Sequence, residues 1–209
     1  VTSRVALPER ILADRVVVVL RTAEPTHVDV VAEVLVAEGL GCLEVTFTIP
    51  QAEQAISRLC DRFGKAVSVG AGTVTTRARA VAAVEHGAAY IVSPVFHAEV
   101  AEVALAAGIP YLPGALTPTE ISLAWEGGAS AVKVFPASAV QPSYLRAVLG
   151  PPPDVQLLPS GGVALDAVQG WLDAGAVAVS LGGELIGDAL AGGRLEDLRV
   201  RARAVAGLR

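Results

Sequence analysis

Apolar runs return eight times along this chain, starting near Val16, Cys42, Val67, Tyr90, Pro110, Ala131, Val155 and Ala176, at intervals of 20 to 26 residues. They are rich in Val, Ile, Leu and Ala, as strands buried on both faces are. Helical periodicity fills the gaps, over residues 27–39, 51–62, 76–86, 97–107, 118–126, 143–149 and 165–174, with glycines near several ends. Eight βα units in 209 residues predict a single α/β domain over residues 1–209, a closed (β/α)8 TIM barrel. An open doubly wound sheet is the alternative, and the regularity of the eight units favours closure. A further helix over residues 4–13 is expected to plug or flank the bottom of the barrel. Pro151-Pro152-Pro153 reads as a stiff turn before strand seven.

Composition narrows the function classes. An apolar content of 53% requires membrane insertion to be weighed, but the longest uncharged stretch, residues 103–119, is broken by Pro110, Pro113 and Pro118. A net charge of −5 without a basic cluster argues against a nucleic-acid partner. Cys42, Cys60 and three scattered histidines have no metal-ligand spacing. The start, Val1-Thr2-Ser3-Arg4, lacks a signal-peptide core. The expectation is a cytoplasmic, metal-independent protein with a small-molecule substrate.

Positive charge is supplied by fourteen arginines and only two lysines. One of the two, Lys133, sits inside the apolar run Ala131-Val132-Lys133-Val134-Phe135-Pro136-Ala137. Arginine stays protonated at physiological pH, whereas a desolvated lysine can lose its proton and attack a carbonyl carbon. An ordinary lysine is a free amine only about one part in a thousand near neutral pH, so burial of an amine has a chemical use. The competing reading is a structural lysine that snorkels to a strand end or pairs with a carboxylate.

In a barrel, chemistry belongs where strands run into their following loops. Polar residues fall there: Arg21 ends strand one, Thr73 strand three, Ser93-Pro94 strand four and Ser160-Gly161-Gly162 strand seven. On strand two, Leu43, Val45, Phe47 and Ile49 form one apolar face, which turns Cys42, Glu44, Thr46 and Thr48 toward the barrel interior. By the same alternation Lys133 and Phe135 share a face. A carboxylate and an amine therefore converge inside the barrel, either as a structural ion pair or as a nucleophile with its proton shuttle.

Strands seven and eight end in glycine pairs, Gly161-Gly162 and Gly182-Gly183. Glycine admits close backbone approach, and units seven and eight hold the usual barrel phosphate site, so phosphate binding is favoured over ordinary turns. Gly70-Ala71-Gly72 lacks the third glycine of a dinucleotide fingerprint and reads as a tight strand end lining the site.

Six segments, taken together, resemble successive motifs of the bacterial KDPG/KHG aldolases: Leu43-Glu44-Val45-Thr46-Phe47-Thr48-Ile49-Pro50, Gly70-Ala71-Gly72-Thr73-Val74, Ile91-Val92-Ser93-Pro94, Pro113-Gly114-Ala115-Leu116-Thr117-Pro118-Thr119-Glu120, Val132-Lys133-Val134-Phe135-Pro136 and Pro159-Ser160-Gly161-Gly162-Val163. The resemblance runs from about Arg10 to the C-terminus. It implies a class I aldolase acting on 2-keto-3-deoxy-6-phosphogluconate or 4-hydroxy-2-oxoglutarate, without metal or organic cofactor, commonly as a homotrimer. By resemblance Lys133 forms the Schiff base and Glu44 moves protons. Arg21 and Thr73 hold the keto-acid carboxylate, Pro94 and Phe135 wall the pyruvyl group, and Ser160, Gly161, Gly162, Gly182 and Gly183 bind phosphate.

Two departures stand out. Thr48 replaces an arginine that some members place on strand two, which moves carboxylate binding to Arg21. Gly182-Gly183-Glu184 replaces a Gly-Ser loop and removes a hydroxyl from the phosphate site, keeping the galactonate epimer and unphosphorylated 4-hydroxy-2-oxoglutarate open as substrates. A phosphate-binding barrel isomerase or a non-catalytic binding subunit are the readings from other classes.

Overall fold

Eight parallel strands carry the sheet: β1 (Val16–Leu20), β2 (Cys42–Thr46), β3 (Ser68–Gly72), β4 (Ile91–Ser93), β5 (Tyr111–Ala115), β6 (Val132–Val134), β7 (Leu157–Pro159) and β8 (Val179–Leu181). They lie in the order β7-β6-β5-β4-β3-β2-β1-β8, and a parallel bridge between Ser160 and Ser180 brings the two edges together. The computed structural model describes residues 4–150 and 154–208 as a nearly closed (β/α)8 barrel. Val1-Thr2-Ser3 and the expected Pro151-Pro152-Pro153 turn lie outside the described residues.

Helix α1 (Glu9–Asp14) precedes β1. The strands are then joined by α2 (Val28–Ala37), α3 (Ala52–Phe63), α4 (Arg77–Glu85), α5 (Ala98–Ala107), α6 (Pro118–Glu126), α7 (Pro142–Leu149) and α8 (Val168–Asp173). A short α9 (Gly183–Ile186) follows β8, and α10 (Leu195–Ala206) packs beside α2. Local chemistry sets several starts. Thr117 and Glu120 form a reciprocal capping box at α6, and the Thr76 side chain accepts from the Arg79 N–H at α4. No helix among the described residues is long and apolar enough to cross a membrane.

The first helix begins at Glu9, not at Arg4 as the sequence predicts. Pro8 precedes it in an extended conformation (ψ 135°), and a proline disfavours helical geometry in the residue before it. Arg4 is thereby free to bind elsewhere. Its guanidinium lies 3.4 Å from the Trp125 ring centroid and donates to the carbonyls of Trp125 and Ala129.

Strand alternation splits the core in two. One face of each strand packs against the helices in a shell that includes Val18, Leu20, Leu43, Val45, Val132 and Val134. The opposite face fills the barrel's lower interior with Val17, Cys42, Tyr90, Leu112, Ala131, Leu158 and Ala178, closed from below by Leu7 and Ile11. Two residues further along their strands, at the next inward positions, come Val19, Glu44, Lys133, Ser160 and Ser180. The barrel is therefore apolar at its base, and four of these five positions one layer up are polar. That switch is what places charge at the mouth.

Candidate active site

Glu44 lies on β2 between Val19 of β1 and Gly70 of β3. Its carboxylate is buried, and a Cβ built on Gly72 would stand 2.2 Å from Glu44 Oε1. Residue 72 therefore has no side chain because the carboxylate occupies that space. Gly70 does the same for Tyr90, whose ring would lie 2.2 Å from a Cβ there. The Tyr90 hydroxyl donates to the Leu43 carbonyl at 2.9 Å and so fixes the peptide just before Glu44. Burial, with Cys42 and Glu44 nearby, pushes the Tyr90 phenol well above its ordinary range and keeps it a donor.

Lys133 pairs in register with Gly114 of β5 and Leu158 of β7. Its Nζ lies 3.8 Å from Glu44 Oε1 and 5.4 Å from the centre of the Phe135 ring. Both side chains of the pair are nearly fully buried, at 7% and 2% exposure. At 3.8 Å the charges attract without a hydrogen bond, and Glu44 Oε1 has no hydrogen-bond partner among the described residues. Two desolvated charges held this loosely are a poor structural bridge. They are well placed to exchange a proton once a carbonyl carbon approaches the amine.

Lys133 opens into a cavity of about 330 Å³ at the C-terminal ends of β1, β6, β7 and β8. Arg21, Phe135, Ser160, Gly161, Gly162, Gly182 and Gly183 line it, so eight of the eleven residues expected from the sequence, Lys133 included, share one wall system. Glu44 joins through the ion pair. Thr73 stands at the end of β3, next to Gly72, with a left-handed backbone (φ 58°), but does not line that cavity. Pro94 lines a second cavity of about 330 Å³ with Leu116 and Leu123, and Phe135 is the wall common to both.

One expectation needs correction. Thr48 is not on strand two: β2 ends at Thr46, and Thr48 is exposed in the following turn, its hydroxyl 2.8 Å from that of Thr46. Gly70-Ala71-Gly72 does end β3, and its two glycines are also the spaces that Tyr90 and Glu44 fill. Among the cavity residues that the sequence reading does not name, Ser180 is the buried polar one. Ser180 is a buried inward hydroxyl on β8 with no hydrogen-bond partner among the described residues. Its signal is the alternation Ala178-Val179-Ser180-Leu181, whose outward positions are apolar.

The charge in this cavity is mixed. Arg21 and Lys133 supply positive charge, and Glu184 lines the wall beside Gly183. The two glycine loops differ in freedom. Gly162 has φ 75° and a Cβ there would meet Ser138 Cβ at 2.8 Å, whereas nothing lies within 4 Å of a Cβ on Gly183.

Known proteins resemble this chain in sequence and fold. Over 170 residues, covering 81% of this chain and 83% of the relative, the sequence is 34% identical to the 2-dehydro-3-deoxy-6-phosphogalactonate aldolase of Escherichia coli. It is 37% identical to the 2-dehydro-3-deoxy-phosphogluconate aldolase of Pseudomonas aeruginosa over 68% of this chain and 64% of that protein. The solved structure of the Legionella pneumophila KDPG aldolase, with pyruvate captured as a covalent carbinolamine, superposes with a TM-score of 0.85 at 27% identity, covering 94% of this chain and 96% of that one. Residues 7–197 match the family model for KDPG and KHG aldolases, and the chain belongs to that family of carbon–carbon lyases.

Proposed function

We propose that this protein is a class I aldolase that cleaves 2-keto-3-deoxy-6-phosphogluconate to pyruvate and glyceraldehyde 3-phosphate. The observation that carries the reading is the buried Lys133–Glu44 pair, 3.8 Å apart, whose lysine lines a cavity shared with both glycine pairs. Glu44 takes the ammonium proton, and the free Lys133 amine adds to the C2 carbonyl. Glu44 returns that proton to the carbinolamine hydroxyl, and loss of water gives a protonated imine. Glu44 then removes the C4 hydroxyl proton, the C3–C4 bond breaks, and its electron pair moves into the C2–C3 bond of an enamine as the aldehyde leaves. Protonation at C3 and hydrolysis release pyruvate and restore the amine. Arg21 and Thr73 hold the carboxylate in this reading, and Pro94 and Phe135 bound the pyruvyl group.

Borohydride reduction in the presence of pyruvate tests it. The expected product is one stable adduct per chain, located on Lys133 by peptide mass mapping. An isomerase or a silent binding subunit gains none.

Substrate choice turns on the phosphate site. Free 4-hydroxy-2-oxoglutarate is the second reading, favoured by Glu184 in the cavity wall and by the lack of a side chain at Gly183, while the galactonate epimer carries the same phosphate and stays open beside the gluconate one. Gly183→Asp separates phosphorylated from free substrates, because nothing lies within 4 Å of a Cβ at that position. For a phosphorylated substrate KM is expected to rise about tenfold or more, from like-charge repulsion at close range, with little change for a free keto acid. Equal effects on both substrates rule out the phosphate assignment.

A homotrimer and a cytoplasmic setting belong to the same reading. Val95 and Leu123, 52% and 58% exposed beside the second cavity, offer the apolar surface that association needs.

A further inference from the structure

Ser180 plays no part in the chemistry above, and its position is specific. It is 2% exposed, turns inward from β8 into the same cavity as Lys133, and its Oγ has no hydrogen-bond partner among the described residues. Around the barrel it stands between Ser160, just past β7, to which its backbone bridges, and β1, where it is in register with Val17. Along β8 it lies two residues before Gly182, at the foot of the second glycine loop. A hydroxyl buried without a partner is destabilising, so an inward one beside a cavity points to a ligand that satisfies it.

If the substrate is bound as proposed above, its position identifies that ligand group. The keto carbon is held at Lys133 and the phosphate at the glycine loops, and the chain between them carries two hydroxyls. The C4 hydroxyl gives its proton to Glu44 on β2. The C5 hydroxyl is left for the wall formed by β7 and β8, directly below Gly182. We propose that Ser180 is a specificity-determining residue that hydrogen-bonds this hydroxyl, the one on the carbon next to the aldehyde in the cleaved fragment. A site built to pair a substrate hydroxyl discriminates against an analogue without it, because its own polar group is then left unpaired.

The test runs the reaction in the direction of aldol addition, with pyruvate as donor and two acceptors. Glyceraldehyde 3-phosphate carries the hydroxyl beside its aldehyde carbon, and 3-oxopropyl phosphate lacks it while keeping the phosphate. Ser180→Ala is expected to lower kcat/KM for glyceraldehyde 3-phosphate by about tenfold to a hundredfold, and to affect 3-oxopropyl phosphate far less. The wild-type preference between the acceptors narrows accordingly, and Ser180→Thr, which keeps the hydroxyl, restores much of it. Equal losses for both acceptors, or none for either, overturn the proposal. Borohydride trapping on the same variant separates the failures. A normal adduct at Lys133 with equal losses removes only the role of Ser180, whereas a wild-type protein that forms no adduct removes the aldolase reading and this inference with it.

Discussion

Lys133→Arg abolishes the pyruvate adduct and lowers cleavage by about 10³-fold or more, while the barrel stays folded. Arginine keeps the positive charge opposite Glu44, so the buried carboxylate is not left uncompensated, but its guanidinium does not become a neutral amine. The added bulk has an outlet, because the side chain already borders a cavity of about 330 Å³. Lys133→Met is the contrasting variant. It removes the only cation within 4 Å of Glu44 among the described residues, and breaking a buried pair costs about 3–5 kcal/mol. Denaturant unfolding is expected to rank the arginine variant above the methionine one, while borohydride trapping finds no adduct in either. Retained cleavage with an adduct elsewhere would move the nucleophile to the second lysine. Geometry speaks against that. Lys65 is exposed in a turn (Gly64–Ala66) before β3, at the opposite end of the barrel from the cavity.

Period-two alternation carries the sequence reading a long way, because a barrel strand has no freedom in which face turns inward. Apolar neighbours alone assign Glu44 and Lys133 to the interior, and both lie there. The same rule fails at Thr48, where the strand has already ended and the backbone has turned, since alternation has no meaning once pairing stops. It fails differently at Arg4, where Pro8 outweighs the helical pattern. The interior spaces are out of reach for another reason. That Gly72 makes room for a carboxylate, and Gly70 for a tyrosine ring, depends on contacts between strands that register alone fixes. A glycine reads the same in sequence whether it turns the chain or yields space to a neighbour. The grouping of Arg21 with the two glycine loops needs closure of the barrel, which brings β8 beside both β1 and β7.

Glu44→Gln should form the pyruvate adduct and yet turn over slowly. The amide has nearly the shape of the carboxylate and fits the space left by Gly72, so the loss is one of basicity, not of packing. A positioned acid–base group contributes typically about 10²–10⁴ in rate, and kcat is expected to fall by that order while KM changes little. Packing alone does not move a second readout. A bound pyruvate enamine must gain a proton at its methyl carbon, so the wild-type protein should wash deuterium from solvent water into pyruvate, as followed by proton NMR. The variant should do so slower by a factor similar to its loss in kcat. Slowed cleavage with normal deuterium exchange would confine Glu44 to the C4 hydroxyl step. Near-normal rates in both would leave the carboxylate as the structural partner of Lys133, and another group would have to move the protons. Tyr90 is unsuited to that role, because its hydroxyl is committed to the Leu43 carbonyl and burial holds the proton on it. The proposed role therefore stays with Glu44, whose Oε1 is buried, 3.8 Å from the amine, and has no hydrogen-bond partner among the described residues.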